Sequence, residues 1–437
     1  MSNTDMQTQL LSDFQAYQNG LNGKAETPFN QLRRLAMDNF SNLGFPTTKH
    51  EEWKYSNVKK LVEKSYNFHP KSEAGEDELS ALPIPDLAGN ILYFINGIFH
   101  PELSTLQTPD DKLKIITLSQ AITEFPDLLN EYYGKFTDNI TESFTALNTA
   151  MANDGVVVFI PDNTTLEEPV IMRMIGDVRE ENVGSFVRNL VVVGKNAEVK
   201  IAESFRTLGE KSGFVNAVTE IIVGEDARVD YYKVQDDNDE SFHIGTTQVY
   251  QKDRSYFYSA TVTINGGFVR NNLNLILDGQ HINSYMYGLY IPDKKQHIDN
   301  HTLVDHRKPN CQSNELYKGI LMGKSTGVFN GKIFVQEDAQ KTNAYQNCRN
   351  VIVSDSATMN TKPQLEIWAD DVKCSHGTTT GKLNDDAIFY MQSRGIPKQE
   401  AIKLQLLAFA EDVVSQIKID GIRNYLEVLI REKLHGN

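Results

Sequence analysis

Cysteine and histidine are the scarce, reactive side chains of this sequence, and they are unevenly placed. Among 437 residues there are three cysteines and ten histidines. All three cysteines (Cys311, Cys348, Cys374) and five histidines (His281, His297, His301, His306, His376) fall between residues 281 and 376. Thiolate and imidazole are the donors that soft metals and iron–sulfur clusters prefer. The spacing shows no Cys-x-x-Cys and no interval typical of a structural zinc site, which argues against a stable metal centre fully ligated by this chain alone. One segment brings the two side-chain types close together: Cys374–Ser375–His376. On a strand, residues two apart point to the same face, so thiol and imidazole would stand side by side. A neighbouring imidazolium raises the thiolate fraction of a cysteine. Gly377–Thr378–Thr379–Thr380–Gly381 follows, small and polar, leaving room for something to approach. A packed cysteine beside a capped histidine is the commoner meaning of an isolated Cys-x-His.

The other candidates read more plainly. His297, His301 and His306 lie at mixed spacing among Asp299, Asn300 and Asp305, as strand and turn histidines satisfied by their neighbours. Cys311 and Cys348 read as core residues, and Asp370–Asp371 as an acidic turn. There is no Gly-x-Ser-x-Gly elbow, no phosphate-binding Gly-rich loop with Lys and Ser/Thr, and no dinucleotide fingerprint.

Composition bounds the rest. Apolar residues make up 40% and charged residues 23%, an ordinary globular balance. The formal net charge of −15, with no cluster of Lys and Arg, disfavours a nucleic acid or an anionic membrane and suits a basic partner surface. Met1–Asp5 carries no signal-peptide pattern, and no apolar run approaches the ~20 residues of a membrane helix. With few cysteines, these features predict a reducing cytoplasm, free thiols and no membrane insertion.

The elements that must position Cys374 and His376 are strands. From Val156 to about His376, short apolar runs alternate with turn residues: Val156–Ile160, Leu190–Val193, Thr219–Val223, Asn272–Leu277, Gly331–Val335 and Val351–Val353. No convincing amphipathic helix interrupts them. Val193–Gly194–Lys195–Asn196–Ala197–Glu198–Val199 is echoed thirty residues on by Val223–Gly224–Glu225–Asp226–Ala227–Arg228–Val229, and more weakly at Val335–Ala339 and Val353–Ala357. Each echo reads as a corner: a strand ends, a polar turn follows, and a small Ala fits inside the bend. Repeated corners stack strands into a solenoid whose end rungs need caps, which the helical ends could supply. One such unit resembles the hexapeptide acyltransferases, but Val199–Ser204 breaks the hexad at once. A right-handed parallel β-helix fits better.

The flanks are helical. Leu10, Phe14 and Tyr17 recur at helical spacing, and a second helix begins at Pro28, with Leu32, Leu35, Ala36 and Phe40 on one side and Gly44 and Pro46 stopping it. Trp53 and Tyr55 read as packing residues. Asn96–Gly97 marks a tight turn. Asn384–Asp386 caps a helix that Gly395 ends, and Pro397 opens another whose two apolar faces (Ala401, Leu404, Ala408; Ile402, Leu406, Phe409) predict burial or a partner. Ile422, Tyr425, Leu426 and Leu429 mark a last helix. The organisation is therefore 1–65 N-terminal helical region, 66–150 connector and mixed α/β region, 151–381 parallel β-helix core and 382–437 C-terminal helical region.

Several stretches resemble the SufB/SufD family of iron–sulfur cluster assembly proteins, on its SufD side. They are Lys362–Gly377, Phe389–Ile396, His306–Pro309 with Tyr317–Lys318–Gly319, and Glu51–Tyr55. The match spans nearly the whole chain. The resemblance implies a non-catalytic β-helix scaffold of the SUF complex that pairs with a SufB-like subunit and docks a SufC-like ATPase through its C-terminal helices. Phe389, Tyr390, Arg394 and Ile396 would then serve ATPase docking. Cys374 and His376 would handle sulfur, iron or a transient cluster shared with the partner. Asp355–Ser356–Ala357 stands where SufB-like chains carry a Cys, and the longer SufB N-terminus is missing, which favours SufD and removes one sulfur acceptor. Flavin binding, self-pairing of the isolated chain and the order of iron and sulfur arrival stay open. The competing class is a β-helix enzyme, an acyltransferase or a polysaccharide lyase, which would need a groove lined by carboxylates and aromatics.

Overall fold

The computed structural model describes residues 5–21, 26–70, 88–152 and 154–435. The charged stretch from Glu73 to Glu78, with most of the 66–90 connector, lies outside the described residues. Two sheets carry the fold. The first contains β3 (Lys114–Thr117), β4 (Val156–Ile160), β6 (Val183–Val193), β8 (Gly213–Val223), β10 (Phe242–Gln251), β12 (Phe268–Leu277), β14 (His297–His306), β16 (Thr326–Val335) and β18 (Thr358–Ile367), stacked in that order. The second contains β2 (Ile98–Thr105), β1 (Asn90–Ile95), β5 (Val170–Asp177), β7 (Glu198–Leu208), β9 (Arg228–Asp236), β11 (Tyr256–Asn265), β13 (Asn283–Tyr290), β15 (Gln312–Leu321), β17 (Asn343–Ile352) and β19 (Lys373–Gly381). From β4 onward the chain alternates between sheets and each strand pairs in parallel with the one two places on, giving a parallel β-helix of about eight turns. Val183 pairs with Gly213, Phe242 with Phe268 and Val157 with Leu190, so one turn takes between 26 and 33 residues.

The corners are built as the repeat predicts. β6 ends at Val193 and β7 begins at Glu198, while β8 ends at Val223 and β9 begins at Arg228. Asn196 (φ 53°) and Asp226 (φ 58°) take the left-handed conformation that short polar side chains tolerate. Ala197 and Ala227 are buried inside the bends. Stacked corners approach so closely that a Cβ on Gly224 would sit 2.7 Å from the Val193 carbonyl oxygen. The lumen is then filled by inward residues such as Val191, Ile201, Ile221, Val229, Phe257 and Leu275.

The N-terminal end is closed by strands. Asn96 and Gly97, both at positive φ, turn β1 into β2; β1 extends the second sheet beside β5, and β3 pairs antiparallel with β4. Helices α1 (Asp5–Asn19), α2 (Pro28–Leu43) and α3 (Lys59–Val62) precede this region, and α4 (Leu118–Glu124), α5 (Pro126–Tyr132) and α6 (Ser143–Met151) follow it. Leu10, Phe40, Trp53 and Phe144 cover an outer row of the first sheet that includes Phe214, Phe242 and Phe268. Leu35, expected on the packed side of α2, is 58% exposed; Phe29, Arg33, Ala36, Met37 and Phe40 form the buried side instead.

The C-terminal helices α7 (Asp385–Ser393), α8 (Lys398–Val414) and α9 (Asp420–His435) do not cap the last rung. The second sheet presents an apolar outer face, Tyr232, Val234, Tyr258, Val262, Leu289 and Ile320, and Leu406, Ala410, Val413, Ile422 and Leu426 bury it. Covering that face takes the helices to the flank of the solenoid. Only one face of α8 is buried in this way; Leu404 and Ala408 on the other stay exposed.

Candidate functional site

β18 and β19 are the last strands of their sheets, each bonded on one side only, to β16 and β17. The final rung therefore presents two unpaired strand edges, the usual template for a further strand. Cys374 pairs in register with Ala344 and His376 with Gln346, both of which are fully buried in the lumen. Cys374 is half-buried against Ile333, Val335, Ala339, Ala344 and Ala369. His376, two residues on, shares that inward direction, yet it is exposed because no rung covers it. Thiol and imidazole thus line the open mouth of the lumen, as the spacing predicts. The electrostatics differ from the expectation. Burial pushes the Cys374 thiol up, so the free chain holds it as a thiol rather than a thiolate.

Cys311, Cys348, His297, His301 and His306 are held by packing or polar contacts, whereas His281 is exposed at a corner before β13. Cys311 and Cys348 are buried in the core, and burial pushes their thiols up to about 11 and about 12. His306 is buried in the lumen against Ser313 at 2.9 Å. His297 stacks on Phe268 (4.9 Å) and meets the Ser56 hydroxyl at 2.8 Å. His301 lies 3.0 Å from Asp299 and 3.5 Å from Glu52. Asp370 and Asp371 form the corner between β18 and β19, where the Asp371 carbonyl accepts from the Lys341 amide. Among the described residues, no group of three or more His, Cys, Asp or Glu side chains is placed to hold a metal ion.

The N-terminal Glu51–Tyr55 segment reaches this end of the solenoid. Glu51 pairs with Lys362 of β18 at 2.6 Å, and Glu52 accepts from Asn330 of β16 at 3.0 Å. The Arg270 guanidinium lies 4.1 Å over the Trp53 ring, donates to the Glu52 carbonyl and pairs with buried Asp299 at 2.9 Å. Trp53 is buried, as expected of a packing residue, whereas Tyr55 is 40% exposed. A cleft of about 720 Å³ opens beside this segment, lined by Glu51, Glu52, Trp53, Asp305 and Phe334 among others. Three of its carboxylates are paired: the His301 contact holds Glu52 at about 2, Glu51 is bound to Lys362, and Asp305 is paired with Arg307 at 2.7 Å.

On α7, Phe389 and Tyr390 are 73% and 60% exposed, and Arg394 lies 5.4 Å over the Tyr390 ring. Ile396 is half-buried beside them. Asp355 and Ser356 occupy the corner between β17 and β18, where the Ser356 hydroxyl donates to the Gly323 carbonyl at 2.6 Å. Sequence reasoning missed Glu315 and Gln346, the buried polar residues stacked below His376. Positions 315, 346 and 376 lie 31 and 30 residues apart, close to the thirty-residue repeat, but turns of unequal length hide that stacking until the register is known.

Fold and site together define a β-helix protein with a thiol–imidazole pair at an open end. The SufBD core domain of the SUF iron–sulfur cluster assembly system matches residues 176–409, and the SufBD N-terminal region matches residues 4–172. An iron–sulfur cluster assembly SufBD family protein of Synechocystis is 33% identical over 432 residues, covering 96% of this chain and 95% of the relative. The iron–sulfur cluster assembly protein SufD of Escherichia coli is 29% identical over 395 residues, 90% of each chain. SufD of Bacillus subtilis is 26% identical over 438 residues, 97% of this chain and 98% of its own. The chain belongs to the SufBD family. Among the described residues, no helix is long and apolar enough to cross a membrane.

Proposed function

We propose that this chain is a non-catalytic, SufD-like scaffold subunit of an iron–sulfur cluster assembly complex, working in the cytoplasm. Cys374 and His376 form half of a site that is completed by a SufB-like partner across the last rung. The observation that carries this reading is their placement together on β19, an exposed terminal strand with one free edge. The cargo, iron or a forming cluster, would take the Cys374 sulfur only after the thiol loses its proton, which metal binding itself drives. A SufC-like ATPase docks on the C-terminal helical region, and the exposed Phe389–Tyr390–Arg394 knob supports that placement. In the partner's absence, the same free edges suit a second copy of this chain.

The test is cluster build-up on the reconstituted complex. Cys374→Ala folds normally and loses cluster formation; unchanged formation overturns the role of the thiol. Cys374→Ser and His376→Ala are compared separately, and loss of iron loading in the His variant alone reassigns the ligand. For the ATPase, a chain ending after Gly381 fails to capture it, and retained capture refutes the docking site.

A further inference from the structure

One column of the lumen carries polar side chains up to the last rung. On the second sheet, Met286, Glu315, Gln346 and His376 occupy equivalent positions on β13, β15, β17 and β19. Met286 is buried and closes the column below Glu315. Glu315 and Gln346 are 3% and 1% exposed. Gln346 Nε2 donates to Glu315 Oε2 at 2.8 Å, which turns the amide nitrogen down the column. The other end of that amide, Oε1, is buried and has no partner within the chain. Space for the amide is made by Gly331 on the facing sheet, where a Cβ would lie 2.3 Å from Gln346 Nε2.

We propose that Gln346, gripped by Glu315, is a positioning residue for His376: the ring, which makes no bond to Gln346 in this structure, turns inward so that Oε1 accepts its lumen-side N–H, which fixes the tautomer and directs the other ring nitrogen toward the cargo. The inference rests on the reading of the last rung as an assembly half-site. Three observations converge on it. The amide oxygen is the group on Gln346 left over once Glu315 has taken its nitrogen. His376 is the next residue up the column, one strand spacing away, about 4.8 Å. A histidine that binds a metal through one nitrogen ordinarily gives its other N–H to a fixed acceptor. A neutral amide does this without adding a second carboxylate to the mouth.

The experiment is nitrogen NMR of the full chain labelled with ¹⁵N-histidine, with the His376 signals assigned by their loss in His376→Ala. The wild-type ring shows two well-separated nitrogen resonances, the signature of one tautomer. In Gln346→Leu they move toward their average, and in Gln346→Glu, which restores an acceptor, they separate again. Iron loading of the reconstituted complex falls about 10-fold or more in Gln346→Leu. Averaged resonances in the wild-type ring overturn the proposal without any variant, so a misfolded Gln346→Leu does not shield it. Identical ring spectra in wild type and Gln346→Leu overturn it equally. Cluster formation that survives His376→Ala overturns instead the functional reading on which this rests, and the tautomer measurement is independent of it.

Discussion

Glu315→Gln should make the protein more stable at alkaline pH and leave it unchanged in acid. Burial pushes the Glu315 carboxyl up to about 7, against an ordinary value of 4.5. A carboxyl raised in the folded state keeps its proton while the unfolded chain has lost it. Its stabilising share is therefore full below about 4.5 and is lost as pH rises to about 7. A gap of roughly 2.5 units, at about 1.36 kcal/mol each, is a penalty of roughly 3 kcal/mol above neutrality. Gln has the same shape, stays neutral and can still accept from Gln346. Urea unfolding, followed by Trp368 fluorescence in the last turns, should give variant and wild type the same stability near pH 4.5. The variant should gain steadily to about 3 kcal/mol at pH 8. A difference that does not change with pH, or a variant less stable at pH 8, refutes the reasoning.

Three further predictions follow from the packing. Arg270→Ala strips the cation from Trp53 and leaves Asp299 buried without its arginine, a loss of about 3–5 kcal/mol; limited proteolysis near Tyr55 should accelerate, and an unchanged cleavage rate contradicts the clamp. Gly224→Val forces a side chain into the Val193 carbonyl at a stacked corner and should cost about 1–3 kcal/mol or more in thermal denaturation; a neutral result would mean that the corners have slack. Among the three cysteines, Cys374 alone should react with iodoacetamide in the native chain, at a rate below that of an ordinary exposed thiol because burial raises it; labelling of Cys311 or Cys348 without unfolding would refute the core packing.

The solenoid was legible because its corners are chemically demanding. A left-handed Asn or Asp, a Gly under a neighbouring carbonyl and an Ala inside the bend leave few substitutes, so the pattern survives at Gly194–Ala197 and Gly224–Ala227. The lumen was less legible. Turn lengths vary between 26 and 33 residues, so the stacking of Glu315 under Gln346 under His376 emerges only once the register is known. Helix periodicity located α2 and α8 but not their surroundings: Leu35 and Leu404 fit an apolar stripe and face solvent. Nor can an amphipathic face say which surface it covers. The C-terminal helices were therefore expected to cap the stack, whereas the apolar flank of the second sheet draws them aside and leaves the last rung open. Cys374–Ser375–His376 was placed correctly on a strand, with the two side chains sharing a face, but the thiol's burial belongs to Ala339, Ala344 and Ala369 around it, which spacing does not show.

The central claim is that the last rung is a half-site that a partner strand completes. Backbone hydrogen–deuterium exchange across residues 358–381, with and without the SufB-like partner, tests it most directly. The free chain should exchange quickly at the amides of β19 that point away from β17, and complex formation should slow exchange along β18 and β19 by orders of magnitude. A complex that forms while residues 358–381 exchange as fast as before would place the partner elsewhere and contradict the account.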